Sequence, residues 1–145
     1  MDKSVAVALT ALVGGLIALQ APINAGLARA TGNVPAALVS FLIGTAILLT
    51  IVLVSGKAAD VGELTEVRWY YLLGGLLGAA YVFTVLVTVK YVGAGGVAAA
   101  TITGQLTASV ALDRLGALGL EQVSLTPARV LGVALLLAGT FLVVR

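Results

Sequence analysis

The sequence contains no cysteine and no histidine, and charged residues make up only 10% of its 145 residues. Without thiols it can form neither disulfides nor thiolate sites. Without imidazole it lacks the most common metal ligand and the usual side chain that titrates near neutral pH. We therefore expect no metal, no cofactor and no enzymatic nucleophile–base pair. The net charge of +2 is too small and too dispersed for a nucleic-acid partner.

Hydrophobic residues, by contrast, make up 61% of the chain, and the mean hydropathy is +1.17. A soluble domain carries about 25% charged residues, and a domain of this size leaves roughly 30% of its unfolded surface exposed. The few polar residues here could not cover such a surface. The composition therefore favours a shell of membrane lipid over a water-soluble bundle.

Five apolar segments are each long enough to cross a bilayer, which takes roughly 20 helical residues. Backbone groups cannot stay unpaired in lipid, so we expect each segment to be a helix. The predicted fold class is an all-α integral membrane protein with one transmembrane domain over residues 1–145. The predicted spans are Val5 to about Ala28, Val34–Val54, Trp69–Val89, Val92–Leu112 and about Leu125–Val144.

The ends of these segments carry local signals. Thr31-Gly32-Asn33 separates the first two helices, Gly56-Lys57 ends the second, and Thr126-Pro127 is predicted to begin the last one. Gly93, Gly95 and Gly96 are predicted to form the turn between the third and fourth spans. The first segment is interpreted as a transmembrane helix rather than a signal peptide, because its apolar stretch is long and more spans follow.

Five crossings place the two termini on opposite faces of the membrane. The lysines and arginines divide five to three, which weakly favours a cytoplasmic N-terminus. A bias this small is compatible with insertion in both orientations. The first face carries Lys3, Lys57, Arg68, Arg114 and Arg129, and the second carries Arg29, Lys90 and Arg145.

Two amide side chains in the first predicted helix, Gln20 and Asn24, lie four residues apart and share a face. Pro22 between them removes one backbone hydrogen bond, so we expect a kinked or loosened helix. Polar residues in lipid cost free energy unless they find a partner or line a wet cavity. The pair is interpreted as a substrate-binding site, and hydrogen bonding between helices is the alternative.

Polar residues also recur at every fourth position of the fourth predicted helix, beside a second stripe of small residues. Gln105 is the stronger site candidate, because the hydroxyls of Thr101 and Ser109 can instead bond a carbonyl one turn back. Small residues at this spacing allow another helix to approach closely. The polar stripe is Thr101, Gln105, Ser109 and Asp113, and the small stripe is Gly96, Ala100, Gly104 and Ala108.

Asp113 lies at the end of this helix beside Arg114. An interfacial Asp–Arg pair is the simpler interpretation, and a carboxylate that couples transport to protons or cations is the alternative. In the third predicted helix, Gly74 and Gly78 predict a close helix contact. Tyr81, which follows them, could line a cavity or pack in the core.

These features predict a small wet cavity that five short helices cannot enclose alone. Two copies in opposite orientations would give a ten-helix body with an inverted repeat, the arrangement used for alternating access. We therefore expect an antiparallel dimer that transports a small-molecule substrate. A non-transporting structural or accessory membrane protein is the alternative, because small-residue stripes serve that role equally well.

Five segments of the chain match a known pattern, in order and over nearly the whole length: GGLIALQAPINAGLA (14–28), VSFLIGT (39–45), GGLLGAAYV (74–82), GQLTASVALDRLGALGL (104–120) and TPARVLGVALLLAGTFLVV (126–144). Through these segments the chain resembles the YdcZ-like family of the drug/metabolite transporter superfamily. This resemblance implies half of a ten-helix transporter in a bacterial inner membrane, paired as an antiparallel homodimer or with a paired homologue. Small multidrug-resistance relatives use a glutamate in the first helix, which this sequence lacks, so proton-coupled drug export is not implied.

Overall fold

The computed structural model describes residues 2–145, which form α-helices, short 3₁₀ helices and connecting loops, with no strand in that range. The α-helices are α1 (Lys3–Thr31), α2 (Asn33–Val54), α3 (Leu73–Leu115) and α4 (Pro127–Val144), and the 3₁₀ helices are Ala59–Glu66, Trp69–Leu72 and Ala117–Gly119. The chain packs as two compact units, one ending at Lys90 and the other formed by Tyr91–Arg145.

The predicted signals at the helix ends are confirmed at α1, α2 and α4. Gly32 separates α1 from α2 with φ 88° and ψ 162°, a conformation that a side chain would disfavour. Thr126 caps α4, because its hydroxyl oxygen accepts a hydrogen bond from the backbone N–H of Arg129 at 3.3 Å. Pro127 occupies the first turn of α4, where its missing N–H would have had no helical partner.

The third and fourth predicted helices are not separated by a loop. They form α3, whose helical backbone is interrupted only at Gly93, with φ 70° and ψ 170°. Gly95 and Gly96 are helical, so the prediction of a turn across all three glycines was wrong. One glycine suffices because its missing Cβ permits a backbone conformation closed to other residues. The segments on its two sides, 73–92 and 94–115, each have the length of one membrane span.

Two further differences concern the starts and interiors of helices. Trp69 to Leu72, expected as the first turn of a transmembrane helix, form a 3₁₀ helix, and α3 begins at Leu73. α1 continues without interruption through Pro22, so any loosening there leaves the helix intact on both sides. The proline nevertheless leaves the Ala18 carbonyl without its normal N–H partner four residues later.

The first unit has a small core where α2 meets α3. Ala36, Val82 and Leu86 are 0%, 7% and 3% exposed and pack together. Most other large apolar side chains face outward, including Leu142 at 72% exposed.

Four helical regions within residues 2–145 are long and apolar enough to cross a membrane. The one containing α3, Trp69–Leu115, has 47 residues. A straight helix of that length would extend about 70 Å, against roughly 30 Å of hydrocarbon.

Candidate functional site

α1 and the first segment of α3 enclose a small cavity in the first unit. Gln20 and Asn24 line it from α1, and Tyr81 lines it from α3. Gln20 and Asn24 lie four residues apart on α1, so both side chains lie on the face that meets the neighbouring helix. The volume of about 10 Å³ has room for about one water molecule. The remaining lining residues are Ile17, Ala21, Val82 and Val85.

Asn24 is the most deeply buried polar residue of this cavity, at 7% exposed. Within residues 2–145 its side-chain amide makes no hydrogen bond, yet its nitrogen and oxygen both keep some accessible surface. The amide is therefore available to a water or a solute that enters the cavity.

Gln20 and Tyr81 complete the polar part of the lining. Gln20 is exposed on α1 and Tyr81 is half-buried on α3. Tyr81 also packs against the core of Ala36, Val82 and Leu86, so both alternatives considered for it from the sequence apply. None of the residues that line the cavity is charged.

The polar stripe of the fourth predicted helix lies in the second unit, on the 94–115 segment of α3. Thr101 is half-buried, whereas Gln105 and Ser109 are exposed. In the part of the chain that the structure describes, none of these three side chains forms a hydrogen bond. The expected bonds from Thr101 and Ser109 to a carbonyl one turn back are therefore not formed. Gln20 and Asn24 belong to the other unit, and each group is a site candidate by itself.

A hydrogen-bonded threonine cluster that the sequence interpretation missed joins α3 to α4. The hydroxyl oxygens of Thr103 and Thr140 lie 2.6 Å apart. Thr140 donates to the Ala99 carbonyl at 3.0 Å, and Thr103 lies 3.3 Å from the Leu136 carbonyl. Thr103 is only 6% exposed. Thr103 lies two residues from Thr101 and from Gln105, so it is on a different face from the polar stripe. A polar residue on that otherwise apolar face is the sequence signal that could have indicated a contact with another helix.

The Asp–Arg pair predicted at the end of α3 exists, but with a different arginine. Asp113 accepts from the Arg129 guanidinium at 3.0 Å, and the adjacent Arg114 is not its partner. The two side chains are 33% and 37% exposed. The pair joins the last turns of α3 to the first turn of α4. The connecting loop folds onto the same end, since Gln122 donates to the Arg114 carbonyl at 2.9 Å.

The small residues that were predicted to allow close packing of helices have different surroundings. A Cβ on Gly78 would lie 3.7 Å from the ring of Phe41 on α2, and one on Gly96 would lie 3.4 Å from Val144 on α4. Gly74 and Gly104 have open space at that position. Ala100 and Ala108 are exposed, so most of the small stripe is uncovered within one chain.

Comparison with known proteins gives a consistent assignment. The family described as "Putative inner membrane exporter, YdcZ" matches residues 5–142. The chain belongs to the YdcZ family. A relative, the "Inner membrane protein YdcZ" of Escherichia coli (strain K12), is 32% identical over 111 residues, which cover 76% of this chain and 74% of the relative. No solved structure matches.

YdcZ membership and the apolar helices together make the chain a multi-pass protein of the bacterial inner membrane. The YdcZ family is described as one of exporters, so at a coarse level the chain is a membrane transporter, which is not an enzyme class. Across residues 2–145, no three acidic, histidine or cysteine side chains come together as metal ligands.

Proposed function

We propose that the chain transports a small polar solute by alternating access, working as an antiparallel dimer. The observation that carries the proposal is Asn24, which is only 7% exposed and whose amide has no partner in residues 2–145. A structural role alone gives no reason to retain a nearly buried amide that bonds to nothing in the described chain. A transported solute that bonds to the amide gives one.

The proposed crossing number is five: α1, α2, the two segments of α3 on either side of Gly93, and α4. Five crossings leave the termini on opposite faces. The five-to-three division of lysine and arginine gives little preference for one orientation. Both orientations in the same membrane would supply the two halves of an inverted repeat.

Polar and small residues that are exposed within one chain support the presence of a second copy in a dimer. Gln105 is exposed on the 94–115 segment and makes no hydrogen bond there. A glutamine facing hydrocarbon is unfavourable, so residues of this kind face a protein neighbour or a wet cavity. Gly104 beside it has open space where a Cβ would stand, which permits close approach of another helix. A homodimer or a pair with a homologous chain would meet this requirement.

The substrate class follows from the side chains available. The proposed binding residues Gln20, Asn24, Thr101, Gln105 and Ser109 offer amides and hydroxyls without charge. Such groups bind neutral or zwitterionic polar solutes, whereas an ion would require an opposite charge to offset its desolvation. The cavity in the first unit holds only about one water. A larger solute therefore requires the helices to open, as alternating access provides.

A ligand screen on the purified dimer tests the proposal. Thermal stability would be measured with a panel of amino acids, polyols and neutral amides. Stabilisation by one class, lost in both Asn24→Ala and Gln105→Ala but kept in Asn33→Ala, would support it. Asn33 is the matched control because it is an asparagine outside the cavity. Retention of the stabilisation in both site variants would refute the assignment of these residues.

The alternative, a structural or accessory membrane protein, is favoured by the open small-residue stripe and by the apolar exterior. The same variants separate the two functions. If Asn24→Ala and Gln105→Ala dissociate the dimer, as measured by light scattering, the residues serve assembly. If the dimer persists and solute binding is lost, they serve transport. Tags at both termini, located by protease access in sealed vesicles, would test for two orientations.

A further inference from the structure

The second unit contains an open groove between the last turns of α3 and the first turns of α4. Its volume is about 540 Å³, within the range of about 300–1,000 Å³ that small-molecule sites occupy. The groove is apolar except for Thr107 at one end and Arg114 at the other. Its lining is Thr107, Val110, Ala111, Arg114, Leu115, Leu125, Val130, Val133, Ala134 and Leu137.

The spacing of the lining residues shows why the groove forms. On α3, residues 107, 110, 111 and 114 share one helical face, and on α4 residues 130, 133, 134 and 137 do the same. Alanine at positions 111 and 134 keeps the space between the two faces unfilled. Arg114 lies seven positions after Thr107 on α3, which gives the groove a length of about 10 Å.

Among the described residues that line this groove, Arg114 is the charged one. It lies one residue before the end of α3, the level at which a spanning helix meets the membrane interface. In residues 2–145 its guanidinium has no hydrogen bond or ion pair. The adjacent carboxylate, Asp113, is already paired with Arg129. Glu121 in the connecting loop lies beyond ion-pair distance of Arg114.

We infer that this groove binds an anionic phospholipid, with an acyl chain between α3 and α4 and the headgroup phosphate on Arg114. The apolar lining fits a hydrocarbon chain, which the surrounding bilayer supplies. The guanidinium matches a phosphate through paired N–H donors and cannot be neutralised at physiological pH. Basic pockets between transmembrane helices recognise anionic headgroups in this way. The site is separate from the residues proposed to bind the transported solute.

Lipid binding to the delipidated full-length protein in neutral detergent tests the inference. Native mass spectrometry would compare phosphatidylglycerol with phosphatidylcholine of the same acyl chains. We expect phosphatidylglycerol to bind about fivefold more tightly, the effect of one cation near a charged headgroup. Arg114→Gln should bring the two lipids to equal affinity. Arg29→Gln, which removes a cation at the end of α1 outside the groove, should preserve the difference.

A second variant tests the acyl-chain part of the site. Ala134→Phe fills the groove and should weaken both lipids, whereas Ala138→Phe, one turn further along α4 and outside the lining, should not. Equal binding of the two lipids by the unmodified protein would overturn the inference. So would loss of the preference in Arg29→Gln, or displacement of the lipid by inorganic phosphate alone. Dissociation of the dimer by Ala134→Phe, with lipid preference intact, would instead make the groove an interface between two copies.

Discussion

The hydroxyl oxygens of Thr103 and Thr140 lie 2.6 Å apart and join α3 to α4 in the second unit. Each hydroxyl also reaches a carbonyl of the opposite helix, Leu136 for Thr103 and Ala99 for Thr140. The two hydroxyls have one hydrogen each, so when Thr140 donates to Ala99, the Thr103 hydrogen is shared between Thr140 and the Leu136 carbonyl. Such bonds between membrane helices contribute about 0.6 kcal/mol on average, with a maximum near 1.7.

Thr103→Val and Thr140→Val should each lower the free energy of unfolding by about 1 kcal/mol. The double variant should lose less than the sum of the two, because both substitutions break the same bond. Unfolding by a denaturing detergent would measure the three values. Thr50→Val is the control, since Thr50 bonds only a carbonyl of its own helix. Strict additivity of the two losses would contradict a shared bond.

Gly93→Ala should destabilise the protein by about 1–3 kcal/mol, because the alanine must adopt φ 70° and ψ 170°. Gly95→Ala provides the matched control. Gly95 is helical and has open space around the position of a Cβ, so alanine there should be neutral or stabilise by about 0.5–1 kcal/mol. Thermal unfolding would compare the two. Equal effects would mean that the interruption of α3 at Gly93 is not required.

Ala36→Leu should destabilise the first unit by about 1–3 kcal/mol through overpacking. Ala36 is fully buried against Val82 and Leu86, so three added carbon atoms have no space. Ala46→Leu on the same helix faces outward and should leave the stability unchanged within about 0.5 kcal/mol. Urea or detergent titration would measure both. Equal tolerance at the two positions would show that the core of this unit can repack freely.

The ends of α1, α2 and α4 were predictable from sequence, whereas most partners in contacts between helices were not. Gly32 and the Thr126-Pro127 pair act through local backbone chemistry, which neighbouring residues determine. The partner of Asp113 depends on how α4 lies against α3, and the sequence neighbour Arg114 gave the wrong partner. Thr103 was missed because it lies off the polar stripe, where a threonine commonly bonds a carbonyl of its own helix. Only the opposite Thr140 makes it significant.

Asp113→Asn should reduce stability by no more than about 1 kcal/mol, because the ion pair with Arg129 is about one-third exposed. Solute binding and transport should persist, as expected of a pair that holds the ends of α3 and α4 together. Transport into liposomes and thermal stability would be measured side by side, with Arg129→Gln as the companion variant. Loss of transport in Asp113→Asn, with unchanged stability and with Arg129→Gln active, would make Asp113 a coupling carboxylate.

Asn24→Leu should raise the thermal stability of the protein while it abolishes solute binding. The substitution keeps the branching and the number of heavy atoms of the side chain. It removes the amide of a residue that is 7% exposed and without a side-chain hydrogen bond in residues 2–145. An apolar side chain in place of an amide without a protein partner should stabilise the packing of α1 against α3. A residue that binds solute at a cost in stability is expected to show both effects. Activity requires its polar group, whereas an apolar group would pack better at the same position. A gain of stability with solute binding intact would show that Asn24 has no role in the site. A loss of stability would mean that the Asn24 amide bonds to the protein or to its partner chain.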